Sequence, residues 1–314
     1  MRDAFFEALV DLAAGDERVW ALTGDLGIGL FDDFERAAPG RYLNVGIAEQ
    51  NMVGVAAGLA SAGQVPFAYS IAPFVTSRPH DQIRVDVAMT GANVKLVGVG
   101  GGMAYGYLGP THHAIDDLAI MRALPGLTVL APGDPADVRR ATRAAFAVDG
   151  PVYLRLGKNG ERAVLPADAS FVVGRAATLR DGGDVTLVST GAILPEALAA
   201  AETLAAAGVE ATVLHYGTVK PFDTETLVAS ATATGAVVTL EEHNVIGGLG
   251  SAAAEALAEH GAGARLRRVG VPDTFAHVVG SQEHLRRHYG LTGDDVARAA
   301  LELLERDRSK RSLA

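Results

Sequence analysis

The sequence contains no cysteine. That excludes a disulfide framework, a thiolate metal site and a cysteine nucleophile. Tryptophan occurs once and aromatic residues make up only 6% of the chain. The apolar material is therefore mostly small and aliphatic, which suits close packing of helices on sheets. Basic residues are outnumbered, 27 Lys and Arg against 37 Asp and Glu. The resulting net charge of −10 argues against a nucleic acid or an anionic membrane surface as partner, though not against a local basic pocket. No apolar run is long enough to span a bilayer. Met1-Arg2-Asp3-Ala4-Phe5-Phe6 has none of the apolar character of a signal peptide. The expectation is a cytoplasmic enzyme or enzyme subunit. No short-period repeat and no carboxylate or histidine cluster with metal-ligand spacing is visible, so no metal ligand is assigned to this chain.

Against these absences one stretch stands out, Val45-Gly46-Ile47-Ala48-Glu49-Gln50-Asn51-Met52-Val53-Gly54-Val55-Ala56-Ala57-Gly58-Leu59-Ala60. It reads as a turn entering a helix that can be buried on every side, with one carboxylate, Glu49, in its first turn. Gly54 and Gly58 lie on one face and each costs roughly 1 kcal/mol of helix propensity relative to Ala. Another helix or a subunit is expected to approach that face closely.

At 314 residues the chain predicts two domains. In the first half, strands are expected at 19–23, 42–45, 65–70, 94–99, 127–130 and 152–156. Helices are expected at 3–14, 31–38, 49–60, 73–89 with a break near Pro79, 115–123 and 135–147. In the second half, strands are expected at 185–189, 211–215, 236–240 and 265–269, and helices at 193–207, 224–231, 250–260 and 294–305. Such alternation predicts an α/β fold of two doubly wound open-sheet domains, over 1–165 and 184–308. Residues 166–183 are expected to link them, and the polar end, 306–314, to fray. In such sheets ligands bind at the carboxyl ends of the strands, where the Asp25, Glu49 and Gly100 loops fall.

Each candidate residue has two readings at this point. Glu49 is either a catalytic carboxylate or a first-turn capping acid. Gly24-Asp25-Leu26-Gly27-Ile28-Gly29 is either a weak phosphate loop or a tight turn, and it matches neither the P-loop nor G-x-G-x-x-G. Gly100-Gly101-Gly102 either lets a ligand approach the backbone or forms a flexible loop. His112 and His113 are too divergent for a metal pair; one of them either reaches a substrate or caps a helix. Phe74 and Tyr69 either offer a stacking face or belong to the core.

Gly46-Ile47-Ala48-Glu49-Gln50-Asn51 resembles the thiamine-diphosphate enzymes of the transketolase group. The resemblance extends along the chain through Thr23-Gly24-Asp25-Leu26, Asp81-Gln82-Ile83-Arg84, Gly109-Pro110-Thr111-His112, Thr218-Val219-Lys220-Pro221-Phe222-Asp223 and Glu241-Glu242-His243-Asn244. The family's G-D-G motif and following N-N, which hold Mg²⁺ (or Ca²⁺) and the diphosphate, are absent. The resemblance therefore implies the pyrimidine-binding plus C-terminal half of a split transketolase. It implies an N-terminal partner subunit carrying that motif, and self-association into a heterotetramer with two copies of each chain.

The resemblance gives Glu49 a role: its carboxyl, protonated or sharing a proton, bonds a ring nitrogen of the aminopyrimidine and promotes the imino form. Phe74 becomes the stacking platform, with Ile71 where the family often has a second aromatic. Asp25 and Arg84 are expected to line the cofactor, and His112 to contact the donor. Arg2 matches a phosphate arginine, and Lys158 stands near the place of another. Leu108 replaces an acid that reads a sugar hydroxyl, Gly100 replaces a histidine common in the family, and Gly29 stands where a phosphate-contacting serine is usual. These departures imply ketol transfer to an aldehyde acceptor from a sugar or sugar-like donor, with atypical recognition. Two other enzyme readings share the fold: the β-type subunit of a 2-oxoacid dehydrogenase E1, and a deoxyxylulose-phosphate synthase. A non-catalytic scaffold is a further alternative, which a buried Glu49 opposes.

Overall fold

A computed structural model describes residues 1–158, 160–166 and 169–311. The first half contains α1 (Arg2–Gly15), β1 (Val19–Thr23), α2 (Asp32–Ala37), β2 (Tyr42–Asn44), α3 (Glu49–Ser61), β3 (Val65–Ile71), α4 (Ala72–Thr76) and α5 (His80–Gln82). It continues with β4 (Lys95–Val99), α6 (Asp117–Arg122), β5 (Thr128–Leu130), α7 (Pro135–Ala147) and β6 (Val152–Leu156). The second half contains β7 (Ala177–Arg180), β8 (Val185–Ser189), α8 (Leu194–Ala206), β9 (Ala211–His215), β10 (Thr218–Lys220) and α9 (Thr224–Thr234). It ends with β11 (Ala236–Asn244), α10 (Leu249–Glu259), β12 (Arg265–Val271), α11 (Gln282–His288) and α12 (Gly293–Arg311).

The first sheet has the order β10-β5-β6-β4-β3-β1-β2 and is parallel except for β10. Phe5, Phe6, Leu9, Val138, Ala141 and Ala145 of α1 and α7 cover one face. Met52, Val53, Ala56, Ile83, Leu118 and Met121 of α3, the 83–88 turns and α6 cover the other. Burial on both faces explains why β3, Val-Pro-Phe-Ala-Tyr-Ser-Ile, is apolar almost without alternation. The second sheet, β12-β11-β8-β9-β7, is covered by α8 and α12 on one face and by α9 and α10 on the other. Among the described residues no helix is long and apolar enough to cross a membrane.

The helix expected over 73–89 breaks at Pro79, as expected, because proline has no N–H to donate: α4 comes first, then α5 running into π-helical turns at Ile83–Ala88. Other expectations need correction. Residues 177–180, expected inside the linker, form an edge strand antiparallel to β9. Residues 218–220 leave the second half and pair antiparallel with β5, so the two sheets are stitched together. Helix α11, capped by the Ser281 side chain, has no counterpart among the expectations. Helix α12 continues to Arg311 through residues expected to fray, and residues 312–314 lie outside the described residues.

The strand order reverses between β1 and β3. In open α/β sheets such a reversal is where ligands bind, outside the carboxyl ends of the strands. The registers Thr23↔Asn44 and Thr23↔Tyr69 bring the carboxyl ends of β1, β2 and β3 level, and the loops that follow build the site.

Candidate active site

Glu49 is the first residue of α3, 3% exposed, beside the carboxyl ends of β1 and β3. Gly46, with φ of 73°, makes the turn that delivers it. Ser70 of β3 donates its hydroxyl to Glu49 Oε1 at 3.1 Å, and Arg78 Nη1 donates to Oε2 at 3.0 Å. Gly24, at the end of β1, faces the same carboxyl: a Cβ there would lie 3.4 Å from Oε1. No side chain caps the helix. A buried carboxylate needs such partners, since desolvation without them is costly.

Phe74 and Tyr69 have different fates. Tyr69 belongs to the core, stacked on Phe5 at 5.9 Å and edge-on to Phe31. Phe74 is half-buried. The Arg78 guanidinium lies 4.1 Å from its ring centroid and the His112 ring meets it edge-on at 5.0 Å. Burial and the nearby Arg78 charge both lower the pKa of His112, so its imidazole is neutral near pH 7. His112 Nδ1 shares a hydrogen bond with Thr111 Oγ1 at 3.0 Å, so Nε2 is left to face a ligand.

Beyond His112 lies Tyr105, ring to ring at 6.4 Å, with Lys158 Nζ 4.9 Å over its centroid. Arg2 joins from the start of α1, its N–H bonded to Lys158 O at 3.1 Å and its guanidinium to Asp3 at 3.3 Å. A line of side-chain contacts thus runs from a buried acid, past an aromatic ring and an imidazole, to Lys158, with Arg2 beside it.

The glycine run is neither a ligand approach nor a flexible loop. Each missing side chain makes room for one of the protein's own. A Cβ would collide with Tyr105 at Gly100, with Arg155 at Gly101 and with Glu242 at Gly102. Glu242, from the second half, accepts from Met103 N at 2.6 Å and pairs with Arg286, so it pins this loop. Gly27 and Gly29 make a tight turn at φ of 76° and 79°.

Some expected residues are not brought to this line. Ile83 and Val87 take the inward positions of their turns, so Arg84 faces outward into a groove with Met89, Leu124 and Pro125. Leu108 is 53% exposed. Asp25 is exposed with φ of 61°, tied to Asn44 through its N–H and carboxylate at 3.1 Å each. Ile71 ends β3 and is buried. Among the described residues, nothing beyond the helix's own backbone and the chain neighbours comes within 4 Å of a Cβ at Gly54 or Gly58. The residues that sequence reasoning missed are Ser70, Arg78 and Tyr105. Ser70 carried a signal, since a polar residue in an apolar strand needs a partner; the other two lie in loops.

Among the described residues no group of three or more His, Asp or Glu side chains is arranged to hold a metal ion.

Family models match nearly the whole chain: the transketolase pyrimidine-binding domain over residues 1–162 and the transketolase C-terminal domain over 174–296. The chain is 46% identical to the 6-deoxy-6-sulfo-D-fructose transketolase subunit SqwH of Clostridium sp. (strain MSTE9), over 98% of this chain and 95% of that one. It is 40% identical to a subunit of the apulose-4-phosphate transketolase of Actinobacillus succinogenes, over 86% and 87% of the two chains. A 1-deoxy-D-xylulose-5-phosphate synthase of Heliobacterium modesticaldum is 39% identical, but the match spans only 48% of its length. A solved split-gene transketolase, an inactive beta4 tetramer, superposes with a TM-score of 0.90 at 42% identity, covering 97% of this chain and 98% of that one.

Proposed function

Because the chain belongs to the transketolase family, as the pyrimidine-binding and C-terminal half of a split enzyme, we propose that it forms one side of a shared active site that transfers a ketol unit to an aldehyde. The partner is an N-terminal subunit bearing the G-D-G…N-N motif. The observation that carries this reading is the contact line from Glu49 through Arg78 and Phe74 to His112.

Family membership implies dependence on thiamine diphosphate. The residues present fit its pyrimidine end. Glu49 offers a buried carboxylate, Phe74 a half-buried ring face, and Gly24 the space that a Cβ would fill. Mg²⁺ and the diphosphate end are assigned to the partner's G-D-G…N-N motif, as the family resemblance implies. When bound, thiamine diphosphate supplies the nucleophilic carbon and the electron sink for carbon–carbon cleavage. Glu49 offers its buried carboxyl to the pyrimidine edge and shares a proton with the ring nitrogen there. His112 presents neutral Nε2 to the donor's oxygens. Asp25 lines the subunit boundary.

The donor is a ketose with a strongly anionic group, sulfonate or phosphate, at the end far from its carbonyl. Arg2 and Lys158 at the outer end of the contact line support this. The anionic sugars named for two relatives support it too. Exposed Ile47, Val85 and Met89, together with the bare Gly54 and Gly58, support burial of the α3 face between subunits.

The test is to mix the chain with its partner, thiamine diphosphate and Mg²⁺ and assay sulfonated, phosphorylated and uncharged ketoses. Turnover is expected only with both subunits, with kcat/KM highest for an anionic donor. Full activity from the chain alone would refute the split site, and equal use of uncharged ketoses would refute the anionic end.

A further inference from the structure

Arg78 engages both groups that the reading above assigns to the pyrimidine. Its guanidinium stacks on Phe74 at 4.1 Å and donates to Glu49 Oε2 at 3.0 Å. A guanidinium is flat, delocalised and rimmed with N–H donors. It therefore makes with this pair the two contacts expected of an aminopyrimidine: a π-face on the ring and an edge donor to the acid. One flat group leaves no room for another against the same ring face and the same carboxylate oxygen.

The position suits a group that comes and goes. Arg78 lies in the break between α4 and α5, outside any helix. Its carbonyl is held by Gln50 Nε2 at 3.2 Å, while its side chain is 47% exposed against 2% for that of Glu49. The side chain can turn out to solvent by χ rotation alone, with its backbone fixed. Without Arg78 or a ligand, Glu49 keeps only Ser70 as a side-chain donor among the described residues.

We propose that Arg78 is an internal occupant of the pyrimidine position, which satisfies Glu49 until thiamine diphosphate displaces it toward solvent. Loading is then an exchange, and the apparent affinity for cofactor is reduced by the fraction of chains in which Arg78 is seated. The exchange also moves a positive charge away from His112, whose pKa that charge lowers. This inference rests on the assignment of Glu49 and Phe74 to the cofactor.

The experiment is calorimetric titration of thiamine diphosphate, with Mg²⁺, into the complex of this chain and its partner. Wild type, Arg78→Met, Arg78→Lys, Glu49→Gln and the Glu49→Gln/Arg78→Met double variant are compared. Because Arg78 is half exposed its hold is modest, and Arg78→Met should tighten binding about two- to tenfold. Arg78→Lys, which keeps charge but not the flat stack, should fall between. In the Glu49→Gln background Arg78→Met should gain little, since the anchor is gone. As a readout on the chain alone, Arg78→Met should raise the NMR-measured pKa of His112. Weaker or unchanged cofactor binding in Arg78→Met would overturn the proposal. Normal turnover by Glu49→Gln would instead overturn the assignment on which it rests.

Discussion

The ring of Tyr105 lies across Gly100: a Cβ at Gly100 would stand 2.0 Å from Cε2 and 2.3 Å from Cδ2 of that ring. The bare backbone and the seated aromatic are one feature, and Lys158 Nζ lies over the ring, 4.9 Å from its centroid. Gly100 also has φ of 81°, in the left-handed region.

Gly100→Ala should therefore unseat Tyr105 and strain the backbone by about 1–2 kcal/mol. The melting temperature should fall, and KM for an anionic donor should rise more than kcat falls, because Lys158 loses its support. Adding Tyr105→Ala should relieve the collision but not the strain. Identical donor KM values for wild type and Gly100→Ala would detach this wall from the substrate site.

Asp117 and Arg155 form an ion pair at 2.8 Å, with both side chains buried. Tyr153 donates to the same carboxylate at 2.6 Å, while Arg155 also donates to Ala114 O at 2.7 Å and Glu242 O at 3.0 Å. The pair thus ties the segment after His112 to the second half. Removing one partner strands the other, so Asp117→Asn or Arg155→Met should each cost about 3–5 kcal/mol in urea unfolding. A loss below about 1 kcal/mol would show that the pair is dispensable.

Lys95 is buried in β4, its ammonium donating to Val148 O at 2.7 Å and Gly150 O at 2.8 Å. Burial lowers its pKa to about 7. Between pH 7 and roughly 10 the unfolded chain holds a proton that the folded chain has released, so this group makes stability rise with pH. Above roughly pH 10 the buried hydroxyls of Tyr69, Tyr153 and Tyr216, whose pKa values burial raises, act in the opposite direction. Melting temperatures from pH 7 to 9.5 should climb for wild type relative to Lys95→Met. Parallel curves would mean that Lys95 stays charged.

Most of the α/β order was legible because buried parallel strands such as β3 leave unbroken apolar runs between glycine turns. Glu49 was legible as a single acid leading an apolar helix. What escaped depends on packing between distant segments. Pairing of β10 with β5 joins residues 218–220 to 129–130 and has no local signature. Arg84 reads as a cofactor residue by its neighbours, yet Ile83 and Val87 take the inward positions and turn it out. The glycine run reads as a loop, whereas three side chains from different segments fill its missing volume. Arg78 lies beside a proline in an irregular stretch, and only the fold brings it to Glu49.

The central claim is that Glu49 serves the cofactor and does more than brace α3. Its most direct measurement is ketol-transfer turnover of Glu49→Gln reconstituted with the partner subunit at saturating thiamine diphosphate and Mg²⁺. The amide keeps the shape and the Ser70 hydrogen bond but cannot hold the proton. At least a hundredfold loss of kcat is expected, with assembly intact by sedimentation. Turnover within about twofold of wild type would contradict the account.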